Sequence, residues 1–212
     1  MNLIGISTLA LLVGMGAPAG AQEARMGVAV NLAAPTGAFR STDYPPYGTV
    51  VSTSNESYDL GVGVQLTFAF PLDRRTAFRL NLGGQGFSGR ATAPGYDRMN
   101  LQQQMFSIGA ELQIFPGDGN AFRQSGTYFL IGPAVDFERF DSSYGDPNYY
   151  PDYTVNKTRL GGVVGIGHTF RPHGGMRYSL EAAFHKTLNA TDTAAGNPPA
   201  SDYLKLGFGL VF

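Results

Sequence analysis

The chain has 212 residues, the length of about one domain, with 15 Lys+Arg against 16 Asp+Glu, no Cys and no Trp. A formal net charge of -1 supplies no basic footprint for nucleic acid, and the lack of Cys removes disulfides, thiolate metal sites and Cys nucleophiles together. Only 15% of residues are charged while 29 are Gly, a combination that disfavours an ordinary soluble surface.

Residues 3–13, Leu-Ile-Gly-Ile-Ser-Thr-Leu-Ala-Leu-Leu-Val, form an uncharged, mostly apolar run of 11 residues followed by Ala19-Gly20-Ala21. That pattern predicts a signal peptide over 1–21, cleaved after Ala21, and a mature domain over 22–212. The run falls well short of the about 20 apolar residues that a spanning helix needs. No Cys follows the cleavage site, so no lipid anchor is expected there.

Beyond the leader no apolar stretch reaches 18 residues, and the hydrophobic period is two. Val28, Val30 and Leu32 open the series. From Tyr58 the even positions read Tyr58, Leu60, Val62, Val64, Leu66, Phe68, Phe70 and Leu72, against Asp59, Gly61, Gly63, Gln65, Thr67 and Ala69. Alternating residues share one face of a strand, so these apolar groups line one side. Further copies follow at Phe78/Leu80/Leu82, Phe106/Ile108/Leu112/Ile114, Phe129/Ile131/Val135/Phe137, Leu160/Val164/Ile166, Met176/Tyr178/Leu180/Ala182/Phe184 and Leu204/Leu206/Phe208/Leu210/Phe212. Eight strands are therefore predicted.

The breakers alternate in length. Long polar stretches near 40–57, 88–100, 140–157 and 189–201 are interleaved with short ones at 71–75, 116–126 and 171–175. Long and short connections in alternation predict an all-β fold, an eight-stranded antiparallel up-and-down transmembrane β-barrel. Its interior is just wide enough for side chains to fill. The opposite face carries Gly, Ala, Ser, Thr and isolated charges, which suits that interior, and the apolar rings then meet hydrocarbon. Closure pairs every backbone group where lipid offers no substitute.

The last strand, with apolar residues at every second position from Leu204 to the terminal Phe212, resembles the C-terminal signal that the outer-membrane assembly machinery reads, here Leu206, Phe208, Leu210 and Phe212. With the leader and eight strands, the mature chain resembles the OmpA/OmpX-type family of outer-membrane β-barrels. The resemblance implies a bacterial outer-membrane location, contact with outer-membrane lipid and lipopolysaccharide, and assembly by that machinery. No wall-binding domain is expected after Phe212. The fold itself hosts structural proteins, adhesins, enzymes and channels, so activity has to be argued from residues.

By parity, Asp59, Arg79, Glu111, Asp136, Glu138, Arg159, Arg177, Glu181, His185 and Lys205 point inward as a lumen charge network. Arg79 with Glu111, and Glu138 with Arg159, lie at matched heights on neighbouring strands. Paired charges that plug the bore are the expectation, with a gated ion path as the alternative. His185, Thr187 and Asn189 invite comparison with lipid A-modifying barrels, which use a His and a Ser near the outer leaflet; Thr stands in place of Ser, and no enzymatic activity is expected. Spacing gives no metal set for His168 and His173, or for Asp141, Asp146 and Asp152, and no cofactor is expected. Gly161, Gly162, Gly165 and Gly167 lie within a strand and lack the Lys and helix of a phosphate loop. Outward polar residues should sit at the strand ends: Lys186 at the outer rim and His168 at the periplasmic rim. Surface contact is expected at Tyr44, Tyr47, Tyr149, Tyr150 and Tyr153, where Tyr and Pro cluster in the long loops. The functional expectation is thus a monomer with a plugged interior and a structural or adhesion-like role toward an extracellular ligand. A lipid A-modifying enzyme or a narrow solute channel is the alternative.

Overall fold

The structure, a computed structural model, describes residues 24–36, 57–91, 99–117, 125–144, 153–171, 177–188 and 200–212. The leader, His173, Asn189, Asp146, Asp152, Tyr44, Tyr47, Tyr149 and Tyr150 lie outside the described residues. The strands are β1 (Arg25–Pro35), β2 (Ser57–Tyr58), β3 (Gly61–Pro71), β4 (Thr76–Ala91), β5 (Met99–Ile114), β6 (Gly126–Tyr144), β7 (Tyr153–Phe170), β8 (Arg177–Thr187) and β9 (Tyr203–Val211). Every neighbouring pair is antiparallel, β1 pairs with both β3 and β9, and β4 pairs with both β3 and β5, so the sheet closes on itself. The two-residue β2 continues the β3 stave along β4, which leaves eight staves.

The period of two fixes which way each residue points. Leu60, Val64 and Leu206 are 67%, 61% and 57% exposed, and Val30, Ile131, Val164, Leu180 and Phe208 join them on the outside. Phe68 and Phe184, on the same face, are half-buried. An apolar exterior that encircles the molecule is unstable in water and matched to hydrocarbon. The alternate positions, including Gln65, Arg79, Glu111, Asp136, Glu138 and Lys205, are buried in the lumen.

One local feature reverses that parity. Tyr58 pairs with Gly89 while Val62 pairs with Gly86, so residues 59–61 face only 87 and 88 across the ladder. This is a β-bulge, which inserts one extra residue and shifts every side chain beyond it to the other face. Tyr58, expected outside, is therefore buried within, and Asp59, expected in the lumen network, is exposed.

Strand limits also differ from expectation. The stretches near 88–100 and 140–157 contain ladder: pairing runs to Ala91↔Met99 between β4 and β5, and to Ser142↔Tyr153 between β6 and β7. Tyr153 thus opens a strand. Polar residues in these segments hid the ladder because their outward face meets no lipid and carries no apolar signal.

The lumen is layered. Ala69, Ala77, Phe115, Tyr128 and Leu130 cluster at the short-turn end, and Ala33, Tyr58, Phe87, Leu101, Met105, Phe140 and Tyr203 cluster toward the long-loop end. Charged and amide side chains fill the space between. The expected polar interior is thus capped by apolar clusters at both ends.

Candidate functional site

Arg79 on β4 stands directly opposite Glu111 on β5. Its Nε donates to Glu111 Oε2 at 2.6 Å, and its Nη1 donates across the lumen to Glu181 Oε2 at 2.6 Å. Both carboxylates are further bound: Asn81 Nδ2 donates to Glu111 Oε1 at 3.0 Å, and the Tyr128 hydroxyl donates to Glu181 Oε2 at 3.3 Å. Lys205 Nζ lies 3.7 Å from Glu181 Oε1 and donates to Gln65 Oε1 at 2.6 Å. Burying a charge without partners costs several kcal/mol, about the amount that this arrangement recovers.

A second group sits nearer the long loops. Asp136 on β6 accepts from Ser107 Oγ at 2.6 Å and hydrogen-bonds His185 Nε2 at 2.8 Å, while the His185 ring stacks on Tyr203 at 4.8 Å. Arg159 is the register partner of Asp136 but reaches diagonally to Glu138, with Nε 3.3 Å from Oε2. Gln103 Nε2 donates to Ser201 Oγ at 2.6 Å beside the upper cluster.

Two glycines of β7 make these contacts sterically possible. A Cβ on Gly161 would stand 2.7 Å from both Asp136 Oδ2 and His185 Nε2, and one on Gly167 would collide with the Tyr128 ring. Side chains from β6 and β8 thus meet over a bare β7 backbone. That is the role of Gly161 and Gly167, two of the four strand glycines that lack the Lys and helix of a phosphate loop.

The structure brings Arg79, Glu111, Glu181 and Lys205 into one network, and Asp136 with His185 and Glu138 with Arg159 into neighbouring pairs. Arg177, at the start of β8, is half-buried at the short-turn end, and Asp59 lies outside. Sequence reasoning missed Asn31, Gln65, Asn81, Gln85, Ser107, Tyr128 and Tyr203 as lumen partners, although inward parity was present for all of them. Their polarity without charge gave no separate signal.

At the rims, Lys186 is exposed next to the end of β8 with Nζ 3.7 Å from Asp202 Oδ2, and His168 Nδ1 shares a 2.9 Å hydrogen bond with Thr127 Oγ1 near the end of β7. Outer-face Arg139 donates to Asp141 Oδ2 at 2.9 Å, and Thr154 Oγ1 donates to Asp141 Oδ1 at 2.6 Å. These bonds hold the Asp141 carboxyl below its usual range, Thr154 contributing most. Among the described residues no group of three His, Cys, Asp or Glu side chains is placed to hold a metal.

No family model matches the chain, and no curated protein matches it by sequence. Among solved structures it is similar to a major outer membrane protein from Thermus thermophilus, with a TM-score of 0.54 at 12% identity over 90% of this chain and 100% of that one. Neisserial surface protein A gives 0.47 at 12% identity over 91% and 97%. The attachment invasion locus protein Ail of Yersinia pestis gives 0.46 at 13% over 89% and 96%. The first of these likenesses shows the fold, and with the exposed apolar belt the chain has the architecture of a bacterial outer-membrane β-barrel.

Proposed function

We propose that the protein resides in a bacterial outer membrane, where a structural, plugged lumen holds up a surface-binding, adhesion-like sheet. The observation that supports this reading is strand length. β6 has 19 residues and β7 18, and β4 and β5 have 16 each, whereas about 9–11 cross a bilayer. β1, β3 and β8 have 11. The surplus lies at the long-loop end and stays paired through Arg90↔Asn100, Gln102↔Asp141 and Asp141↔Thr154, so four strands continue past the rim as one sheet. A rigid platform loses little entropy on binding. Tyr153 is the first residue of β7, and Tyr149 and Tyr150 precede it in the sequence between β6 and β7.

In this reading the protein is a non-enzymatic monomer in contact with lipid and lipopolysaccharide. The assembly machinery meets the outer face of β9 and the residue after it, where Leu206, Phe208 and Phe212 are exposed. The test is a Tyr149→Ser, Tyr150→Ser, Tyr153→Ser variant on cells. Heat resistance in detergent is expected to stay near wild type while attachment to host-cell or matrix surfaces falls by an order of magnitude or more, because clustered aromatics carry much of an interface's energy. Attachment that persists in that variant but disappears with a lumen substitution overturns the reading in favour of a channel or enzyme.

A further inference from the structure

The short-turn end of the barrel repeats one pattern around its circumference: an outward apolar side chain at the edge of the lipid belt, with arginine next to it in the chain on the side away from the membrane. Met26, 45% exposed, has Arg25 before it at the start of β1. Leu72, 64% exposed, leads into Arg74 and Arg75 between β3 and β4, and Phe170, 43% exposed, is followed by Arg171 at the end of β7. Tyr178, its ring stacked on the outward Phe208 at 6.0 Å, has Arg177 before it at the start of β8. The staves β7, β8, β9, β1, β3 and β4 are successive neighbours, so these positions form one continuous arc. A strand advances about 3.3 Å per residue, and the long arginine stem adds to that reach, which carries each guanidinium past the hydrocarbon edge to the depth of lipid phosphates.

The charge at this end is lopsided. Among the described residues beyond that apolar edge, Arg25, Arg74, Arg75, Arg171 and Arg177 face a single acid, Asp73. Its carboxylate is engaged by its own turn, accepting from the Arg75 and Thr76 amides and from the Thr76 hydroxyl. At the opposite rim cations come with acids: Arg139 lies 2.9 Å from Asp141, and Lys186 3.7 Å from Asp202. Residue type sharpens the contrast. Lys157, Lys186 and Lys205 are the chain's only lysines, and all three lie elsewhere. A guanidinium is permanently charged, weakly hydrated and shaped to take two oxygens of one phosphate. Arg74, Arg75 and Arg171 are exposed, and Arg25 and Arg177 are half-buried at their strand ends.

We propose that this arc of arginines gathers lipids of net negative charge, of which phosphatidylglycerol is the simplest, into the bilayer leaflet at the short-turn end, with the guanidiniums on their phosphates. A zwitterionic headgroup presents the same phosphate beside its own cation, so it gains less from a net positive arc than an anionic one does. The outer-membrane placement makes that leaflet the periplasmic one. The inference rests on the placement for the name of the leaflet alone, because selectivity at one end of the barrel is a property of the protein in any bilayer.

The chain has no Trp, so a single introduced tryptophan reports on one rim at a time: Phe170→Trp at the short-turn end, and Phe106→Trp at the long-loop end, where Gln104 and Gln102 follow it outward along β5. Each folded protein is reconstituted in vesicles of phosphatidylcholine and phosphatidylglycerol in which one lipid or the other carries brominated chains. Quenching of the tryptophan then gives the relative affinity of that rim for the two lipids. Phosphatidylglycerol should be favoured about threefold or more at Phe170→Trp, with a ratio of about 1 at Phe106→Trp. Adding Arg74→Gln, Arg75→Gln and Arg171→Gln to Phe170→Trp should bring its ratio to about 1. Raising the salt to about 0.5 M should do the same without these changes, by shortening the screening length to about 4 Å, and serves where the multiple variant does not fold. A preference equal at both rims, or one that survives both the substitutions and the salt, overturns the proposal. So does its loss in millimolar inorganic phosphate at constant ionic strength, which would assign the arginines to a soluble anion. Tryptophans that neither brominated lipid quenches would refute the membrane placement itself.

Discussion

Replacing Arg79 with Met removes the cation that two buried carboxylates share. Its guanidinium bonds Glu111 and Glu181, whose side chains are 0% and 9% exposed, so the variant leaves both facing a lumen from which most water is excluded. Breaking one buried pair costs about 3–5 kcal/mol. Two losses do not double that figure, because Glu111 keeps Asn81 at 3.0 Å, and Glu181 keeps Tyr128 at 3.3 Å and Lys205 at 3.7 Å. The expected cost is therefore about 3–5 kcal/mol in total. Reversible urea unfolding of the refolded barrel in lipid vesicles gives the number by linear extrapolation. Combining Arg79→Met with Glu111→Gln and Glu181→Gln should recover most of the loss, since removing a whole charge network is far milder than orphaning part of it. An Arg79→Met variant within about 1 kcal/mol of wild type would refute the reasoning by placing these groups in water, where such pairs contribute little.

Gly161→Ala should separate His185 from Asp136, because the new methyl would stand 2.7 Å from both bonding atoms; loss of the His185 ring N–H signal characteristic of a carboxylate partner checks it, at a stability cost of about 1–3 kcal/mol. Val64→Lys, in the middle of β3 on the lipid face, should cost about 2–4 kcal/mol in the same unfolding assay, whereas Lys186→Gln at the rim should change little. In the tight turn after β3, the Asp73 carboxylate accepts from the Arg75 and Thr76 amides at 2.6 and 2.8 Å and from Thr76 Oγ1 at 2.8 Å. The Arg75 bond first, then those from Thr76, depress its pKa below 3.8, so its contribution holds above that value and is lost as pH falls through the lower folded one. Amide exchange at Thr76, relative to the adjacent ladder, should rise only in that acid range and lose this acid step in Asp73→Asn.

The barrel was legible because lipid outside and packed side chains inside impose opposite demands on alternate residues, and eight apolar alternations survive in the sequence. The Arg79–Glu111 contact was legible for the same reason: parity gave the face, and the short turn between β3 and β4 helped to set the height. Asp59 was not, since a bulge leaves no mark in a residue list, and one inserted residue reversed Tyr58 and Asp59 together. Glu181 was placed inward, but its bond to Arg79 crosses the lumen between non-neighbouring staves, and height on adjacent strands carries no information about that chord. The Asp136–His185 bond depended on an absent side chain at Gly161, a condition visible only with all three strands in place. The extended upper sheet escaped notice because above the bilayer the outer face turns polar while Leu101 and Phe140 point inward, so the apolar-out alternation that marks the membrane segment is lost.

The central claim, that the lumen is a closed structural core, is tested most directly by single-channel recording of the purified, folded protein in planar lipid bilayers. Apolar clusters at both ends and an interior held by ion pairs call for a baseline indistinguishable from lipid alone, in wild type and in the Tyr149→Ser, Tyr150→Ser, Tyr153→Ser variant. Steady, ohmic steps in wild type that change amplitude on substituting Arg79 or Glu181 would contradict the account and establish a conducting path through the charge network.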